Sequence, residues 1–297
     1  MDGAQPSLAR PPRALRIVRF PLILILLEGG VFAAIDLSLQ SLAWLQSFGV
    51  APLAVFGISA AGTAATIMLW KAARRWLEGE RDHEFTGRAA AWELACGIGA
   101  GAGLFCLVTA IAAGLGGIAV TGVRPFAQTE FWIWAAIAIV TGAIEEIVFR
   151  GVLLRQLERL TGTWIALGLS AAGFGLLHLA NRDATLAGAF SLALESGLLL
   201  GAAYLYTRRL WLVAGLHGAW NFTQAWLFSV PVSGTGQPIG LLVTRRVGPE
   251  WLTGGDFGLE ASLPALFVAA NAGLVLLWLA YRRGHVVAAP WSRHTKL

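Results

Sequence analysis

Residues 131–157 read FWIWAAIAIVTGAIEEIVFRGVLLRQL. About 20 apolar residues suffice to cross the hydrocarbon core of a bilayer, so this run predicts a membrane-spanning helix. Yet Glu145, Glu146 and Arg150 lie near its middle. Ionisable groups at that depth are costly and point to function. Further apolar runs flank it on both sides, at 20–44, 51–70, 92–113, 163–180, 186–206, 211–229 and 262–281. The sequence thus predicts an all-α, polytopic transmembrane bundle of about eight helices. It reads as one membrane domain over 1–297, with a motif-bearing core over about 131–229.

Composition agrees. The chain is 57% hydrophobic and 13% charged, whereas soluble proteins carry roughly 25% charged residues. Thirteen Trp against three Tyr suit a protein with membrane interfaces. The net charge of +5 does not imply a nucleic-acid partner, because the basic residues lie between apolar spans and form no continuous face. Cys96 and Cys106 sit ten positions apart in one span, about 15 Å on a helix and beyond disulfide reach.

Positive charge also predicts orientation. One side collects Arg10, Arg13, Arg16 and Arg19, then Lys71, Arg74, Arg75, Arg81 and Arg88. The same side takes Arg155, Arg159, Arg208 and Arg209, and the tail residues Arg282, Arg283, Arg293 and Lys296. The other side holds Arg124, Arg182, Arg245 and Arg246. This alternation predicts both termini in the cytoplasm. The first run is too long for a cleaved leader and reads as a retained span. Richness in Ala, Gly, Arg and Trp points to a bacterial source with a GC-rich genome, hence to the inner (plasma) membrane. Gly97, Gly99, Gly101 and Gly103 resemble a nucleotide loop, but no strand flanks them and no Lys follows. They predict close helix packing.

Glu146 and Arg150 are four apart and can pair on one helix face. Glu145 points elsewhere, without a local cation, and suits a general base. Phe174 and His178 are also four apart, as are His217 and Asn221, so each pair shares a face. One carboxylate, two imidazoles and an amide in apolar helices can activate water and stabilise an oxyanion. Each piece alone has a structural reading: an ion-pair clamp for Glu146-Arg150, interhelical hydrogen bonds for the histidines and Asn221. Glu28, Asp36, Glu93 and Glu195 read as interfacial or packing residues, with Glu195 conspicuous at mid-span.

Together, Glu145-Glu146-x-x-x-Arg150, Phe174-x-x-x-His178 and His217-x-x-x-Asn221 resemble the three motifs of the CPBP family. That family comprises intramembrane glutamic endopeptidases of the Rce1 CAAX-protease type and bacteriocin-processing or lysostaphin-resistance-like proteins. The resemblance covers 131–229. It implies a metal-independent endopeptidase with no cofactor. Glu145 and His178 would activate water, His217 and Asn221 would form the oxyanion hole, and Glu146 with Arg150 and Phe174 would support the site. The implied partners are the bilayer and a membrane-bound peptide or protein substrate. The removal of a leader or sorting segment fits a bacterial chain better than the trimming of a prenylated tail. The alternatives are a zinc site built from Glu145, His178 and His217, a non-catalytic immunity or scaffold protein, and a transporter. Other intramembrane protease types fit less well. His83-Glu84 lacks the second His of a His-Glu-x-x-His motif, Ser170 lacks the flanking Gly of a serine type, and Asp36 and Asp256 are not a paired intramembrane set. One tension remains: Glu145 and Asn221 fall near mid-span, while His178 falls near the end of its own.

Overall fold

The structure is a computed structural model that describes residues 17–295. Arg10, Arg13, Arg16 and Lys296 of the orientation argument lie outside the described residues. Among the described residues, the regular structure is helical apart from one two-stranded ribbon. Six helices among the described residues are long and apolar enough to cross a membrane: α1 Pro21–Phe48, α2 Pro52–Glu78, α3 Ala90–Gly114, α5 Thr163–Ala180, α6 Leu186–Thr207 and α8 Leu263–Arg282. The other two expected spans are helical as α4, residues 128–161, and α7, residues 210–227. They carry the polar motifs, Glu145, Glu146 and Arg150 in α4, and His217, Asn221 and Gln224 in α7.

Local chemistry sets the boundaries. Proline opens α1, α2 and α8, where a missing N–H costs nothing. Thr185 and Ser262 cap α6 and α8 by accepting from Gly188 N and Ala265 N, a bond typically worth about 1 kcal/mol. Helix α2 overruns the expected 51–70 by two turns. Its added residues Arg74 and Glu78 are buried as an ion pair, at 2.6 Å, where a solvated loop was expected. Arg155 of α4 adds a bidentate contact to Glu78 at 2.5 and 2.6 Å, a geometry that favours guanidinium over ammonium.

Helix α3 packs along α7, α6 lies against α5 and α8, and α2 lies along α4. The glycine run of α3 works as packing at alternate positions. Gly97 and Gly101 abut the α7 backbone at Leu212 and Leu216, whereas Gly99 and Gly103 face open space. A second glycine contact joins α4 to α7. A Cβ on Gly142 would lie 2.6 Å from the Ala214 carbonyl, and one on Gly218 would lie 2.6 Å from the Ala138 carbonyl. Gly218→Leu should therefore force the two motif helices apart and destabilise the fold by about 1–3 kcal/mol. Thermal unfolding in detergent, with Gly103→Leu as the control facing open space, checks this.

Strand β1, Ile118–Val123, pairs antiparallel with β2, Leu242–Arg246, from Ile118 opposite Arg246 to Val123 opposite Leu242. The sequence read both segments as connecting loops. Each strand is too short, and too weakly alternating in polarity, to stand out beside eight apolar runs. Arg124 fastens this face, since its Nη1 donates to Ser229 Oγ at 2.9 Å and to the Gly240 carbonyl at 2.8 Å. The loop after α7 continues over the α5–α6 turn, where Asn181 Nδ2 donates to the Ser233 carbonyl at 2.6 Å. Cys96 and Cys106 are both free thiols.

Candidate active site

Between the helices and beneath this loop lies a cavity of about 450 Å³. Glu145, Phe174, His178, His217 and Asn221 all line it. Three segments far apart in the chain thus converge, and the Gly142–Gly218 contact brings α4 and α7 close enough for them to meet.

Glu145 sits at the end of a π-helical stretch, Thr141–Glu145, and a second one, Ile147–Leu154, follows Glu146. Such wide turns collect at functional sites because they re-aim side chains within a helix. The two glutamates point to different environments. Glu146 is fully buried, and its Oε1 accepts from Arg150 Nη1 at 3.0 Å and from His217 Nδ1 at 2.7 Å. The expected Glu146–Arg150 pair is present, and the same carboxylate also orients the imidazole of α7. Arg150 lies over the Phe174 ring, 5.1 Å from its centroid, so the α5 aromatic covers the ion pair.

Glu145 Oε1 accepts from Gln40 Nε2 at 3.1 Å, and its Oε2 has no hydrogen-bond partner among the described residues. His217 Nε2 lies 3.9 Å from that oxygen. His217 therefore stands between the two carboxyls, one on each ring nitrogen. His178 is fixed differently. Its Nδ1 lies 2.7 Å from the Phe174 carbonyl, which can only accept, so Nδ1 carries the proton and Nε2 keeps a lone pair. The Phe174 ring lies 4.5 Å from the His178 ring and 6.0 Å from the His217 ring. Asn221 Nδ2 donates to Thr141 Oγ1 at 3.3 Å, which aims the amide back toward α4.

Helix α5 keeps its expected limits, 163–180, while α4 runs longer than expected at both ends. Ser170 Oγ donates to the Phe149 carbonyl at 3.0 Å, which fixes the antiparallel register and sets His178 about level with Thr141, one turn from Glu145. At 1.5 Å per residue, α4 is roughly 50 Å long, well beyond the ~30 Å hydrocarbon core. Its numerical midpoint therefore need not sit at mid-membrane.

Two wall residues were read from the sequence as packing groups. Asp36 and Glu195 are buried and line the cavity. Gln40 Nε2 bridges Asp36 Oδ2, at 2.7 Å, to Glu145. The signal was available, since Asp36 and Gln40 are four apart within an apolar run. Glu28 and Glu93 lie elsewhere, Glu93 paired with Arg209. Among the described residues, no three His, Cys, Asp or Glu side chains are grouped so as to hold a metal ion, and Glu145, His178 and His217 are not such a set.

Residues 127–223 match the family model described as type II CAAX prenyl endopeptidase, Rce1-like. The motif-bearing core is thus similar to the Rce1-like family. The match takes in α4 to α6 and most of α7, and so contains all three motifs; α1 to α3 and α8 lie outside it. No curated protein and no solved structure matches the chain. An Rce1-like core in an integral membrane bundle supports a protease assignment.

Proposed function

We propose that the protein is an intramembrane glutamic endopeptidase that cleaves a membrane-associated peptide. The observation that carries this reading is the convergence of Glu145, His178, His217 and Asn221 on one cavity. In this reading, a water held by Glu145 Oε2 and His178 Nε2 gives a proton to Glu145 as its oxygen attacks the scissile carbonyl. The oxyanion is met by Asn221 Nδ2 and by His217 Nε2–H. That role needs both ring nitrogens of His217 protonated, and the Glu146 carboxylate on Nδ1 supplies the counter-charge. Glu145 then passes its proton to the leaving amine, so the products are one acid and one amine. The distribution of basic residues between the spans supports a reading with the bundle in a bacterial inner membrane and both termini in the cytoplasm.

A reconstituted assay on membrane-anchored peptides tests the reading. Chelation with EDTA or phenanthroline should leave the rate unchanged within about twofold, since general acid–base groups carry the reaction. Loss of activity on chelation, restored by zinc, would overturn the metal-free mechanism.

A further inference from the structure

The cavity holds more carboxyl groups than water activation needs. Four carboxyl groups from four elements line it: Asp36 of α1, Glu145 of α4, Glu195 of α6, and Glu260 just before α8. No Lys or Arg lines it among the described residues. Glu195 is 5% exposed, and its Oε2 has no hydrogen-bond partner among the described residues. Glu260 is 2% exposed, and its Oε2 accepts from Ser233 N at 2.6 Å and Ser233 Oγ at 2.9 Å. Ser233 holds that geometry at φ 48, a left-handed conformation that non-glycine residues seldom adopt.

Buried carboxylates are costly unless a cation or hydrogen-bond donors meet them. Asp36 has Gln40 as a donor beside Glu145 and Glu260 has Ser233, whereas Glu195 Oε2 has no donor among the described residues. The nearby wall is apolar at Leu192, Leu199 and Val232. An apolar wall beside two carboxyls matches an aliphatic stem with a cationic head. We propose that Glu195 and Glu260 form a subsite for a lysine or arginine side chain of the substrate, next to the bond presented to Glu145. This rests on the peptidase reading for its link to cleavage but not for binding.

The test uses the full chain in lipid nanodiscs, with two acylated octapeptides that differ by one arginine replaced by isosteric norleucine. Binding is measured by fluorescence anisotropy on the Glu145→Gln form, and cleavage on the otherwise wild-type form. The arginine peptide should bind about tenfold tighter, a difference of about 1.4 kcal/mol. Glu195→Gln and Glu260→Gln, with unchanged thermal unfolding, should each erase most of that preference. Equal binding of the two peptides, or a preference untouched by both substitutions, would overturn the subsite. A preference without cleavage of either peptide would keep the subsite and count against the peptidase; cleavage without preference would do the reverse.

Discussion

Glu145→Gln should abolish peptide cleavage, with a loss of at least about 10³-fold in kcat, in line with removal of a general base. Glutamine keeps the shape and can still accept from Gln40, so the bundle should unfold at the wild-type temperature. The comparison with Glu146→Gln is informative. Glu146 touches Arg150 and His217 from behind the cavity wall. Its loss should lower activity by misorienting the imidazole and should also lower stability, because Arg150 loses its carboxylate partner. Single-turnover kinetics beside thermal unfolding separate the two cases. A Glu145→Gln enzyme that cleaves at the wild-type rate would remove the base from the account.

Arg150→Met should be the most destabilising single change at the site, by about 3–5 kcal/mol, because it takes the guanidinium from the buried Glu146 carboxylate and leaves only the His217 imidazole beside it. Arg150 is 1% exposed and Glu146 is fully buried, so water cannot compensate. The double variant Arg150→Met with Glu146→Gln should recover most of that stability, since no lone charge remains. It should not recover activity, because His217 Nδ1 would still face an uncharged amide. Reversible unfolding in mixed micelles gives the stability cycle. If the two single changes simply add, the buried pair is not coupled as the 3.0 Å contact requires.

The sequence showed most of the fold because apolar runs of spanning length are a strong signal, and the expected spans reappear as helices with boundaries shifted by a turn or two. The shifts have physical causes. Helix α2 extends because Arg74 and Glu78 are buried against Arg155, a long-range pairing that no local pattern contains. The β1–β2 ribbon was hidden for the same reason, since each strand depends on a partner more than 100 positions away. At the site, helical spacing paired Glu146 with Arg150, and that pair is present. Spacing could not show that His217 would lie between the two glutamates, or that Gln40 would reach Glu145 from α1. Those contacts depend on the glycine approach of α4 to α7 and on π turns, which carry no reliable sequence mark.

The most direct test of the central claim compares peptide termini in the cell envelope between cells with the wild-type chain and cells with Glu145→Gln at equal abundance. The account predicts a defined set of termini that appears only with the wild-type protein, with intact precursors accumulating in the variant. Identical terminal sets in the two strains would contradict it.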